Sequence, residues 1–118
     1  MLLGLLILTV AGRADEATAV KLVEKLGGIV TVDAKQPGKP VVGVDLERTK
    51  VTDADLKELK QLKHLQWLIL YGNNVTDAGL KELKELKNLR LLVLFYTGVT
   101  DGGVKELKAA RPGLRIVR

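Results

Sequence analysis

The tripeptide Val-Thr-Asp occurs at Val51–Asp53, Val75–Asp77 and Val99–Asp101, 24 residues apart each time. Its surroundings repeat as well. Leu56-Lys57-Glu58-Leu59-Lys60 returns as Leu80-Lys81-Glu82-Leu83-Lys84, then as Val104-Lys105-Glu106-Leu107-Lys108. Leu65, Leu68 and Leu70 return as Leu89, Leu92 and Leu94, and upstream Val44 and Leu46 share the phase of Leu68 and Leu70. The last copy carries one extra residue around Arg111-Pro112-Gly113 and resumes at Leu114 and Val117. A register held this long requires units of similar shape laid side by side.

One period can be read physically. Leu68-Ile69-Leu70 alternates like a short strand, so Leu68 and Leu70 share an inward face. Gly72-Asn73-Asn74 bends the chain. Thr76 or Asp77 offers a side-chain oxygen to the free amides of a first helical turn. Leu80, Leu83 and Leu86 then follow at helical spacing and turn one apolar stripe inward, while Lys81, Glu82, Lys84, Glu85 and Lys87 face water. A single unit cannot bury that stripe; a neighbour must. Thr49, Asn73 and Thr97 share one phase after the strands, where their side chains are expected to tie neighbouring turns together through backbone hydrogen bonds.

The pattern Leu-x-x-Leu-x-Leu-x-x-Asn/Thr-x-Val-Thr-Asp-Ala-Gly-Leu-x-x-Leu, best matched over Asn74 to Leu89, resembles leucine-rich repeats of the ribonuclease-inhibitor-like class, in the short Val-Thr-Asp-Ala-Gly-Leu form frequent in bacterial proteins. The resemblance covers Val41 to Val117. It implies an α/β fold: a right-handed leucine-rich repeat solenoid with parallel strands on the concave face and helices on the convex face. It also implies a protein that binds other proteins.

The remainder divides into two parts. Residues 1–14 begin with an apolar run too short to span a membrane. With Gly12-Arg13-Ala14 as a small-x-small cleavage site they read as a signal peptide, although the basic segment such signals carry is missing; an N-terminal helix is the alternative. Export to the periplasm or outside follows from the first reading. Residues 15–40 read as an N-terminal capping helix and strand. Ala17 to Leu26 is amphipathic, Gly27-Gly28 stops it, Ile29 to Val32 is strand-like, and Pro37, Gly38 and Pro40 mark a turn into the strand Val41 to Leu46, giving a helix plus β-hairpin cap. Residues 41–118 hold the 24-residue repeats.

Composition removes most chemistry. Cysteine and serine are absent and His64 is the only histidine, so thiolate metal sites, cysteine and serine nucleophiles and histidine clusters are excluded. His64 lies in a loop and reads as a solvated residue. Asp53, Asp77 and Asp101 recur identically, as caps do, whereas a catalytic acid would be unique to one copy. No cofactor, metal site or enzymatic activity is expected. The net charge of +5 is spread through Lys-Glu-Leu-Lys text, with no basic arm that would suggest nucleic acid.

The binding candidates lie where the copies differ. Positions flanking the inward pairs are Gly43, Asp45 and Glu47, then Trp67, Ile69 and Tyr71, then Leu91, Val93 and Phe95, and finally Ile116 and Arg118. The four aromatic residues, Trp67, Tyr71, Phe95 and Tyr96, all fall in or beside two adjacent strands. Strands about 4.8 Å apart would merge Trp67, Ile69, Tyr71, Leu91, Val93 and Phe95 into one patch. Asp45 and Glu47 give it an acidic border on one side, and Arg118 a basic one on the other. These six residues are the expected ligand-binding set, for a protein or peptide partner. The alternative is a structural role: a self-assembling homo-oligomer or a fragment of a longer array, or a patch covered by the chain's own N-terminal segment.

Overall fold

The 24-residue spacing reappears as strand register. A computed structural model describes residues 16–118; the signal peptide expected over residues 1–14 lies outside them. Five strands form one sheet in chain order: β1 (Ile29–Val32), β2 (Val41–Asp45), β3 (Trp67–Ile69), β4 (Leu91–Val93) and β5 (Arg115–Val117). Gly43 pairs with Trp67, Trp67 with Leu91 and Leu91 with Arg115, one period per step, and β2 to β5 run parallel. The extra residue near Pro112 is absorbed before β5, so the strands keep phase.

β1 departs from that rule and pairs antiparallel with β2. The link 33–40 is too short to hold a crossover helix, so the chain can only turn back. It closes with the Asp33 amide donating to the Pro40 carbonyl at 3.0 Å, and passes through left-handed backbone at Gly38 and Lys39.

The crossovers carry α2 (Asp53–Glu58), α3 (Asp77–Glu82) and α4 (Asp101–Ala110), and α1 (Ala17–Lys25) precedes the sheet. α2 and α3 are six residues long and end in a single 3-10 turn, whereas α4 runs unbroken for ten. One spacing explains the difference. Leu62 and Leu86 leave helical geometry at the end of their turns and are fully buried. The equivalent position in α4 is exposed Ala110, so no apolar side chain draws the backbone off the helix.

The fold class expected from the sequence is therefore corrected. The described chain is a small α/β domain on one mixed five-stranded sheet with four α-helices, not a leucine-rich repeat solenoid of uniform parallel strands. The period dictates strand spacing and the inward set, but it has no say over the strand that precedes its first copy.

The core lies between sheet and helices. Val44, Leu68 and Leu92 form one fully buried row, and Leu46, Leu70 and Leu94 a second. Leu56, Leu59, Leu80, Leu83 and Leu107 meet them from the helices. Truncating a central member such as Leu68 to Ala costs about 2–5 kcal/mol. At the β1 end, α1 adds Ala19, Val20 and Val23. Gly28 lets the chain pass closely there: a Cβ would sit 2.7 Å from the Asp45 carbonyl oxygen and 2.8 Å from Leu46 Cδ2. Buried Glu16 accepts the Val41 amide at 3.2 Å.

The Val-Thr-Asp text divides its labour in a way the sequence leaves open. Thr52, Thr76 and Thr100 are the N-caps, each hydroxyl accepting an amide of the first helical turn. The aspartates reach forward into the next period. Asp53 accepts the Thr76 amide at 2.7 Å and the Thr76 hydroxyl at 2.5 Å, and Asp77 holds Thr100 in the same way at 2.8 and 2.5 Å. Each threonine hydroxyl thus donates to the preceding unit while capping its own helix. Asp101 is instead held by the Arg118 guanidinium, which also donates to the Val99 carbonyl at 3.0 Å.

This brace explains the glycines that follow. A Cβ at Gly79 would lie 2.5 Å from Asp53 Oδ1, and one at Gly103 would collide with the Asp77 carboxylate. The first copy has no preceding aspartate, and there Asp55 completes a capping box with Thr52. The post-strand column also differs from expectation. Asn73 crosses between periods, donating to the Leu46 carbonyl at 2.6 Å, but Thr49 and Thr97 bond only to carbonyls three residues back.

Candidate functional site

Alternation along the strands turns every second residue away from the helices. In β3 and β4, Leu68 and Leu92 point into the core, while Trp67, Ile69, Leu91 and Val93 occupy the opposite, open face. Register makes two rows there. Thr31, Gly43, Trp67, Leu91 and Arg115 lie side by side, as do Ile29, Asp45, Ile69, Val93 and Val117. The expected set of Trp67, Ile69, Tyr71, Leu91, Val93 and Phe95 is thus brought together, each residue partly exposed.

The face has two aromatic ends. At the strand entry, the Trp67 indole lies over the backbone of buried Gly43. A Cβ on that glycine would sit 2.7 Å from Cη2 and closer still to Cε2 and Cζ2. The bare backbone seats the ring as a flat platform. At the strand exit, Tyr71 meets Phe95 edge-on, with centroids 6.2 Å apart, and meets Tyr96 edge-on at 5.4 Å. The Arg48 guanidinium stands 5.6 Å from the Tyr71 ring centroid, within cation–π range. Aliphatic Ile69 and Val93 fill the space between.

Three side chains of this face escape the sequence reading. Tyr96 is 79% exposed and Ile29 64% exposed, which makes them the most exposed large apolar residues of the described chain. Arg48 is the third. A spacing argument could have found two of them. Arg48, Gly72 and Tyr96 stand 24 residues apart, and all three have left-handed backbone, with φ of 54°, 69° and 55°. Glycine adopts that conformation freely; arginine and tyrosine do so at a cost of about 1 kcal/mol each. At those two copies the turn presents a side chain where the middle copy has none. Ile29 could not be placed without the direction of β1.

Two sequence placements change. Ile116 pairs with Leu92 and packs against the core, so the residues β5 gives to the open face are Arg115 and Val117. Arg118 is engaged with Asp101. Asp45 lies in the open-face row beside Ile69, its carboxylate accepting the Glu47 amide at 2.9 Å.

Among the described residues no group of three or more His, Asp or Glu side chains is placed to hold a metal ion, and no helix is long and apolar enough to cross a membrane. Two titrations depart from their ordinary range. The Thr100 hydroxyl, with the Thr100 amide, holds the Asp77 carboxyl below the usual carboxylate range, and Glu82, seconded by Glu85, raises Lys60. Both belong to the braces between helices. The open face offers contact rather than chemistry: rings, aliphatic surface and a few bordering charges.

No family model matches the chain, and no curated protein does. Among solved structures it is similar to one titled "Structure of Chaetomium Mex67:Mtr2 subunits", with 22% sequence identity and a TM-score of 0.61, covering 92% of this chain and 70% of the other. At that identity the match speaks to the fold alone. Neither it nor any family model supports the leucine-rich repeat assignment expected from the 24-residue period, and the fold stands as a small α/β domain.

Proposed function

We propose that this chain is a non-catalytic module that binds a protein or peptide across its open sheet face. One observation carries the reading: Trp67, Ile69, Tyr71, Leu91, Val93 and Phe95 form a contiguous apolar surface, extended by Ile29 and Tyr96, on the side of the sheet that no described helix covers. Soluble proteins seldom leave such a surface bare. Tryptophan and tyrosine are the side chains most often found at the energetic centres of interfaces, because they give large contact area for little lost freedom. The matched solved structure is itself, by its title, one of two subunits, which favours a protein partner.

Capture of a partner from the native source, with the wild-type chain and with Trp67→Ala and Phe95→Ala variants, tests the proposal. Both substitutions are expected to reduce recovery by tenfold or more, roughly, while the circular dichroism spectrum is retained. Unchanged recovery with an intact fold removes these residues from the site. Light scattering over a concentration series addresses the structural alternative. A mass that rises with concentration and falls back in Trp67→Ala would make a second copy of the chain the occupant.

A further inference from the structure

The entry end of the open face carries a run of cations that the helix braces do not use. Lys39, Lys63, Lys87 and Arg111 stand 24 residues apart in the loops that lead into the strands, with Arg90 and Arg115 immediately beyond the last two loops. The Arg115 amide donates to the Arg90 carbonyl at 2.9 Å, so these two residues are neighbours across the sheet. Lys87, Arg90 and Arg111 line one open cleft of about 340 Å³ with Asn88, Leu89 and Gly113. Arg111 is fixed there, donating to the carbonyls of Leu86, Lys87 and Leu89.

The ion pairs of the described chain lie elsewhere: Lys60 with Glu82 and Glu85, Lys84 with Glu106, and Arg118 with Asp101. No acid pairs with Lys63, Lys87, Arg90 or Arg115 among the described residues. The acids gather at the exit end, where Asp53, Asp77 and Asp101 begin the crossover helices. Like charges left unpaired around a recess draw an anion.

We infer that the partner bound on the open face carries an acidic segment, and that this segment docks at the strand-entry edge on Lys87, Arg90, Arg111 and Arg115 beside Trp67 and Leu91. The inference rests on the proposed function and names the chemistry of its partner. The choice among anions follows from what adjoins the cations. The aliphatic surface of Leu91, Val93 and Ile69 suits apolar side chains and offers little to a phosphate backbone. A recess receives carboxylate side chains, which a flat bilayer cannot insert. A long polyanion laid along the face would also meet the aspartates at its far end, whereas a short acidic stretch stays at the entry.

A fluorescein-labelled peptide of several glutamates followed by leucines and valines is the probe, with a version bearing glutamines in place of the glutamates as its partner. The acidic peptide is expected to bind about tenfold more tightly than the neutral one at low salt. That margin shrinks as salt shortens the reach of exposed charges. The margin disappears in Lys87→Glu/Arg90→Glu/Arg115→Glu, and shrinks in the milder Arg90→Gln/Arg115→Gln should the triple variant lose its fold. Trp67→Ala/Phe95→Ala should weaken both peptides alike and leave the margin. A margin that survives without any effect of these two substitutions keeps the acidic site and sinks the apolar one. Equal affinity for the two peptides, no binding of the acidic one, or a margin unmoved by charge reversal overturns the inference. So does tighter binding to labelled oligothymidylate or to vesicles of phosphatidylcholine and phosphatidylserine.

Discussion

Gly43→Ala tests whether the Trp67 platform is built as described. The new methyl would stand 2.7 Å from Cη2 and nearer still to Cε2 and Cζ2, whereas ordinary contact begins near 3.4 Å. The indole must therefore retreat from the backbone by the better part of an ångström or more. Two effects oppose one another. Alanine restrains the unfolded chain more than glycine does, a gain of about 0.5–1 kcal/mol. Forcing a methyl under a seated ring costs about 1–3 kcal/mol, by the usual scale of overpacking. The displacement is large against the tolerance of close-packed atoms, so the second effect wins, with a net loss of about 1–2 kcal/mol. Trp67 is the only tryptophan, so its emission reports the platform directly. Urea unfolding followed at that emission should show a midpoint lower by about 1 M, with a slope near 1–2 kcal/mol per molar. The folded-state maximum should move to the red as the ring gains solvent. Gly113→Ala, where a Cβ meets nothing within 4 Å, is the control and should leave both quantities in place. Gly43→Ala/Trp67→Ala should recover most of the loss relative to Trp67→Ala alone, read by circular dichroism. An unchanged midpoint and emission maximum in Gly43→Ala would refute the stacking of Trp67 on Gly43.

Two further tests address the braces between periods. Gly103→Ala places a methyl against the Asp77 carboxylate and is expected to destabilise. Its neighbour Gly102→Ala has its nearest atom, Thr100 Oγ1, at 3.7 Å and is expected to stabilise by about 0.5 kcal/mol; thermal unfolding of the pair should move in opposite directions. Asp77 carries the pH dependence. Its folded carboxyl is held below the ordinary range by Thr100, so the unfolded chain takes up the proton first as pH falls. The stability it supplies is therefore complete above the unfolded value of about 3.9 and is lost as pH drops below it. Wild type should lose more stability on acidification than Asp77→Asn, and parallel acid-unfolding curves would remove that role.

What was legible in the sequence follows from what the period controls. Strand spacing, the inward rows of Val44, Leu68 and Leu92, and the grouping of Trp67, Ile69, Leu91 and Val93 on one face all follow from alternation and a 24-residue step, because register in a parallel sheet is a matter of counting. Counting fails wherever a copy departs from the pattern. β1 lies ahead of the first copy, and its direction is set by a short link rather than by any repeated residue. The same limit hid the role of the aspartates. Identical copies suggested caps, but Asp53 and Asp77 bond to the period after their own, a relation that appears only once neighbours are stacked. Ile116 was misplaced because a local insertion at Pro112 was read as a shift of the strand. The open face and the cationic edge have a common origin. Core positions are held alike by packing, whereas the outward residue of each strand and the loop residue before it are free to differ. That freedom puts glycine at 43 and tryptophan at 67, so that one copy's bare backbone becomes the seat for its neighbour's ring. The site is thus a property of adjacent, unlike copies, and no single period contains it.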